Sequence, residues 1–201
     1  MNLKVTQRVA YKVTTKRKHN DKVADKLLNQ NFNPVAANQV WAGDITYLKT
    51  GEDWKYLAIV MDLYSRRIVG WYISKRMMTD LICKAMIMAY NLRRPSKGLV
   101  FHSDRGSQYT SKRYRKLLDG YGARASMGDV GACGDNAVVE RFFGSLKHDW
   151  IFKIAQPTRE HMKIDVAAYM RYYNGERLHT ANGDQSPINY ESSLNKMSGH
   201  T

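Results

Sequence analysis

Cysteine is scarce in this chain, and its scarcity removes two protein classes at once. Only Cys83 and Cys133 occur among 201 residues, without CxxC spacing. Neither a disulfide framework nor a cysteine zinc site is indicated. Long apolar runs are missing as well: none approaches membrane-spanning length, and no secretory leader pattern is visible. There are no internal repeats. Arg159-Glu160-His161-Met162-Lys163 lacks the second histidine of a zinc-protease helix. The glycine-rich stretch from Gly128 to Gly134 lacks the Gly-Lys-Ser/Thr of a nucleotide-binding loop. Acidic residues are also few, 18 against 32 Lys and Arg.

That deficit leaves a net charge of +14 and a pI near 9.8. Such an excess fits a polyanionic partner, because each neutralised phosphate releases condensed counterions. The charge is uneven. Residues 1–40 hold eight Lys or Arg against Asp21 and Asp25, nearly half of the net charge in a fifth of the chain. Hydrophobic residues at 43% and charged residues at 25% are a globular composition, sufficient for one core domain plus an arm. We therefore expect a basic arm and linker at 1–37, a core at 38–190 and a tail at 191–201, in a reducing cytoplasm and without membrane association.

The pattern along the chain predicts an α/β fold. Asn31-Phe32-Asn33-Pro34 reads as a linker into a strand. Strand candidates Val40–Thr50, Trp54–Leu63 and Arg67–Ser74 are joined by short turns and should form an antiparallel meander. Thr79 is placed to cap a helix from Asp80 to about Leu92, with Leu81, Ile82, Ala85, Met86, Met88 and Ala89 inward. Leu99–Ser103 has the size of a buried strand. A basic helix opens at Thr110 or Ser111 and stops near Gly120 or Gly122. Arg124–Met127 follows as one more short strand. Asp135 is placed to cap a helix whose stripe is Val139, Phe142, Phe143, Leu146 and Trp150. A final helix is expected from Thr158 to about Tyr173. Three strands, then helix–strand–helix–strand–helix, predict a mixed five-stranded sheet flanked by helices.

Three acidic residues have settings that call for explanation. Asp44 lies inside the first strand, where a charge is costly unless something pairs with it. Asp104 ends the buried strand, the position where open α/β sheets place chemistry. Glu140 flanks the apolar stripe of its helix, and Lys147, seven residues on, lies about 20° from the same helical direction. Converging carboxylates are hard oxygen ligands suited to Mg²⁺ or Mn²⁺. Two such ions can activate the attacking oxygen and stabilise the leaving one in phosphoryl transfer. The bland alternatives are a turn-forming Asp104, a solvated Glu140–Lys147 pair and a packed His102. Asp62, near the end of the second strand, reads as structural or as an auxiliary ligand. Arg105, Ser107 and Lys147 are candidates for DNA phosphates.

Trp41–Tyr47, His102–Tyr109 and Asp135–Lys147 resemble bacterial insertion-sequence transposases of the IS-three type, whose catalytic core is similar to retroviral integrase. Tyr173-Asn174-Gly175-Glu176-Arg177-Leu178-His179, followed by Ser186-Pro187, resembles the tail of that family, and the match runs from about Pro34 to Tyr190. The resemblance implies a ribonuclease-H-like fold with Asp44, Asp104 and Glu140 as catalytic and metal-binding residues for two Mg²⁺ or Mn²⁺ ions. It implies cleavage at the element's ends by water, then attack of the freed 3′-hydroxyl on another phosphodiester, without ATP or a covalent protein–DNA intermediate. Lys147 carries over as a contact to terminal DNA, and Arg141, Arg177 and His179 join the expected DNA-binding set. The implied partners are double-stranded DNA, as element ends and target, and further copies of the chain on that DNA; the implied setting is the bacterial nucleoid. Two departures are visible. Gly134 stands where the family usually has a tryptophan, which implies either a looser Glu140 helix or the loss of a base-stacking surface. The family's helix-turn-helix region is not recognisable, so the competing expectation is a catalytically inactive DNA-binding fragment of a decayed transposase. A ribonuclease of similar fold, cutting RNA–DNA hybrids, is a third reading.

Overall fold

The computed structural model describes residues 24, 25, 27, 33–128, 136–154 and 158–198. Most of the expected arm, Gly134 and the Asp135 cap lie outside the described residues.

A five-stranded sheet organises the chain. Strands β1 (Val40–Lys49), β2 (Trp54–Asp62) and β3 (Ile68–Ser74) form the antiparallel meander. Strands β4 (Val100–Ser103) and β5 (Arg124–Met127) add to the other side of β1 in parallel, giving the order β3-β2-β1-β4-β5. The parallel pairs need crossovers, which helices α1 (Thr79–Arg93) and α2 (Lys112–Gly120) supply. Helices α3 (Ala137–Ser145), α4 (Arg159–Gly175) and α5 (Pro187–Ser198) follow. Among the described residues no helix is long and apolar enough to cross a membrane.

Strand alternation sends β1–β3 side chains into two separate cores. On one face Trp41, Val60 and Val69 pack with Leu81, Met86 and Ala89 of α1 and Tyr114 and Leu118 of α2. On the other, Ala42, Ile59 and Met61 pack with Val139, Phe142 and Phe143 of α3 and Val166 and Tyr169 of α4. Each fully buried aliphatic or aromatic side chain contributes about 1.5–3 kcal/mol. Helix α1 lies very close to the sheet. A methyl group on Gly70 would collide with the Ala85 carbonyl and come within 2.8 Å of Ala89 N and Cβ.

Three local expectations need correction. Met78, not Thr79, occupies the cap of α1, and no side chain caps it; Thr79 is already helical. Met88 is 42% exposed rather than inward, because its turn of α1 faces the sheet through Ala85 and Ala89 instead. The single long stripe through Trp150 is broken. Regular helix ends at Ser145, and Leu146–Trp150 form a π-helical turn, then a 3₁₀ turn at Ile151–Lys153. The seven-residue spacing of Glu140 and Lys147 therefore does not run along one ideal helix. Ser111 and Thr158 do cap α2 and α4, accepting from Tyr114 N and His161 N.

Helix α5 was not among the expected elements. It continues across residue 190 and ties itself to the core through Glu191. Glu191 accepts from Arg67 Nη1 at 2.6 Å, Arg93 Nη1 at 2.8 Å and Ser65 Oγ at 2.7 Å. Arg93 also reaches Asp62 at 3.1 Å, and Asp62 accepts from Asn38 N and Tyr64 N. Asp62 is fully buried and satisfied by these partners, so its role is structural.

Candidate active site

The register between β1 and β4 places two carboxylates together. Val40, Trp41 and Ala42 pair with Val100, Phe101 and His102 in parallel. Two residues beyond Ala42 and His102 stand Asp44, within β1, and Asp104, just past the end of β4. Side chains two apart share a face, so Asp44 follows Ala42 toward the α3 side of the sheet. Gly43 makes the approach of β4 possible: a Cβ there would lie 2.5 Å from the Phe101 ring and 3.0 Å from the Ile59 carbonyl. Helix α3, anchored on the same face by Val139 and Phe142, carries Glu140 to this corner.

The electrostatics of Asp44 show the convergence. Its carboxyl is pushed up to about 8, first by burial, then by Asp104; the Ile45 N–H at 2.7 Å lowers it, Glu140 raises it and Lys147 lowers it. The protein around Asp104 raises that carboxyl as well, against a hydrogen bond from Gly106 N at 3.0 Å. Asp104 keeps a solvent-open edge, so its desolvation is partial. Burial also raises Glu140, which is exposed on one side. Burial lowers the Lys147 ammonium while Asp44 raises it. Lys147 Nζ stands 4.7 Å from the Tyr47 ring centroid, and Tyr47 in turn meets Trp54 edge-on at 5.3 Å.

The other expected residues divide. Ser107 is exposed in the turn after Asp104. Arg105 Nε donates to the Gly128 carbonyl at 2.6 Å, holding the end of β5. His102 is buried with Nδ1 3.0 Å from Ser126 Oγ, so it packs between strands below the acidic corner. Arg141, Arg177 and His179 gather elsewhere, in a cleft of about 320 Å³ on the flank of α3. Arg66 and Tyr173 line the same cleft. Arg66 and Tyr47 are the two residues that sequence reading missed. Tyr47 stands an odd number of residues from Asp44 in the same strand, so alternation gave no signal for it. Arg66 gave none, because the turn holding it meets α3 only in the folded chain.

Comparison with known proteins bears on this arrangement. Residues 34–133 and 121–187 match two families, each described as an integrase core domain. The insertion element IS600 uncharacterized 31 kDa protein of Shigella sonnei is 38% identical over 198 residues, covering 98% of this chain and 73% of that one. The chain belongs to the insertion-sequence transposases with an integrase core. Transposase InsF for insertion sequence IS3A of Escherichia coli (strain K12) is 44% identical to this transposase-family chain over 176 residues, 87% of its length. The chain spans 61% of InsF. The catalytic core domain of HTLV-2 integrase, solved in complex with magnesium in a trimeric form, superimposes with a TM-score of 0.64. At 16% identity, over 79% of this chain and 99% of that one, the likeness shows the ribonuclease-H-like fold.

Among the described residues, no three His, Cys, Asp or Glu side chains already close around a metal position. The donor chemistry nonetheless fits a hard divalent cation. Three carboxylates from separate elements come to this corner, and after burial the charges of Asp104 and Glu140 raise Asp44, a rise that a cation would relieve.

Proposed function

We propose that this chain carries the catalytic centre of a DNA strand transferase, with Asp44, Asp104 and Glu140 as its metal-holding carboxylates. The observation that carries the reading is the Asp44 carboxyl, raised by burial and by both other acids at one corner of a ribonuclease-H-like sheet. A fold can host many chemistries, so the function lies in this site rather than in the architecture. Mg²⁺ or Mn²⁺, as two ions, would supply activation of the attacking oxygen and stabilisation of the leaving one.

The residues of the chain do the remaining work. Asp44 is held rigidly in a central strand, its rotamer fixed by the Ile45 N–H. Asp104 is held by the Gly106 N–H, in the turn that follows β4. Glu140 arrives on α3, and its displacement toward the strands would complete the ligand set. Lys147, parked over Tyr47, is placed to meet a phosphate of the strand being cut. In the first step a water oxygen bonds to phosphorus and the bond to the 3′-oxygen breaks, leaving a 3′-hydroxyl. In the second that 3′-oxygen bonds to a target phosphorus and displaces the target's own 3′-oxygen. The first step hydrolyses one phosphodiester to a 5′-phosphate and a 3′-hydroxyl, and the second exchanges one phosphodiester for another, so no oxidant, nucleotide cofactor or protein adduct is needed. The substrate is double-stranded DNA, as element ends and as target, and the working form is a multimer on it.

The test is joining of element-end DNA to a target plasmid in Mg²⁺ or Mn²⁺. Wild type is expected to give joined product that disappears with chelator and in Asp104→Asn. DNA binding without joining supports the alternative, a binding fragment without activity. Cleavage of an RNA–DNA hybrid without joining would point to a nuclease instead.

A further inference from the structure

The cleft on the flank of α3 is distinct from the acidic corner, and nothing in the chemistry above uses it. Its basic side chains come from three separate parts of the chain: Arg66 from the β2–β3 turn, Arg141 from α3, and Arg177, beside a neutral His179, from the segment after α4. They repel one another. Arg141 lowers Arg66, after burial, and Arg177 and Arg66 together lower His179 after burial. Some of this charge is engaged: Arg66 Nη2 meets Asn33 Oδ1 at 3.2 Å, and Arg177 Nη2 meets Ser145 Oγ at 2.9 Å and Asp149 at 3.6 Å. Among the described residues no acid pairs with Arg141 or Arg66. Arg66 Nη1 and His179 Nε2 are shielded from water and have no hydrogen-bond partner. Folding has thus gathered cations and left buried donor capacity unused, a costly arrangement unless an anion completes it.

The remaining wall narrows the anion. Val138, Phe142, Tyr173 and Leu178 make it substantially apolar, and Leu178 is 63% exposed at its mouth. At about 30 Å³ per water, the volume holds on the order of ten waters, more than a bare phosphate displaces. Its place matters too. Ala137, Arg141 and Ser145 line both this cleft and the neighbouring hollow that contains Glu140. The two hollows therefore adjoin along α3, on either side of Arg141.

We propose that this cleft takes one unpaired nucleotide of the DNA strand handled at the acidic corner, with its phosphate on Arg66, Arg141 and Arg177 and its nucleoside against Leu178 and Tyr173. The inference rests on the strand-transfer reading for the identity of the polymer. A base stacked inside a duplex presents no apolar face to such a wall, so the cleft discriminates frayed or overhanging ends from blunt ones.

The experiment measures fluorescence anisotropy of labelled DNA with the full chain carrying Asp104→Asn and no divalent metal, so that binding is read without joining. Duplex with a short single-stranded overhang is compared with blunt duplex. Overhang DNA is expected to bind about tenfold tighter, and Arg141→Ala to remove that preference and reduce the salt slope by about 1. Arg141→Lys should restore part of it, and Leu178→Ser should weaken overhang binding only. Competition with a free deoxynucleoside monophosphate should displace the overhang preference, whereas inorganic phosphate at the same concentration should not. Thermal melting checks that each variant folds. Equal affinity for blunt and overhang DNA overturns the proposal, as does a preference that survives Arg141→Ala in a folded protein. Displacement by inorganic phosphate as effective as by the nucleotide also overturns it, reducing the cleft to an anion site. If overhang preference fails while wild type still joins DNA, only this inference falls; if neither DNA binds, the strand-transfer reading falls with it.

Discussion

Asp44 and Asp104 each stand two residues beyond a paired position of two parallel neighbours: the register that pairs Ala42 with His102 brings both carboxylates to the end of β4. Their separation in sequence is large, yet Asp104 is the strongest charged influence on Asp44. The consequence is measurable in the metal-free protein. Asp104→Asn should bring the Asp44 carboxyl down from about 8, but not to its ordinary value, because burial is the larger cause. A carbon-13 NMR titration of labelled aspartate reads this directly. An unchanged Asp44 titration would mean that the two acids do not interact.

His179 gives a pH dependence of the opposite kind. Burial, then Arg177 and Arg66, lower its imidazole from 6.5 to about 4. A histidine depressed in the folded state stays neutral there while the unfolded chain takes up a proton. Its stabilisation is therefore complete above pH 6.5 and is lost as pH falls toward 4. Urea unfolding between these values should show a decline that His179→Phe flattens, since phenylalanine keeps the edge contact with Tyr173, now 4.8 Å between ring centroids.

Arg93 joins α1 to β2 and α5 through Asp62 and Glu191. Arg93→Met should cost about 3 kcal/mol, because it strands the fully buried Asp62 charge rather than merely removing a contact. Glu191→Gln should cost less, since amide and guanidinium can still bond. Equilibrium denaturation of both variants ranks them.

Gly70→Ala should destabilise by about 2–3 kcal/mol, since the methyl group has to displace α1 from β3 at Ala85 and Ala89. A crystal structure or a denaturation midpoint checks it; an unchanged midpoint would mean that α1 is free to move.

The fold was largely legible because its signals are local. The meander follows from alternation between short turns, and Ser111 and Thr158 announce their helices three residues ahead of the N–H groups they accept from. Asp44 and Asp104 stood out because each interrupts a strand built for burial. What stayed hidden depends on distant partners. Glu191 looks like a surface residue until α5 brings it to Arg67 and Arg93, and α5 itself carries a weak apolar stripe. Arg105 reads as a phosphate contact, yet its nearest obligation is the Gly128 carbonyl, a backbone acceptor at the end of the edge strand β5. The π turn at Leu146–Trp150 was invisible for the same reason: Leu146, Trp150 and Ile151 belong to a core shared with α4, which is distant in sequence.

The central claim, that the acidic corner holds divalent metal, is tested most directly by calorimetric titration of Mn²⁺ into the metal-free chain at pH 7 in buffers of different ionisation enthalpy. With its carboxyl near 8, Asp44 is mostly protonated there, and ligation requires the proton to leave. Saturable binding should release close to one proton, and both the binding and the release should be lost in Asp44→Asn. Binding without proton release, or equal binding by wild type and Asp44→Asn, would contradict the account.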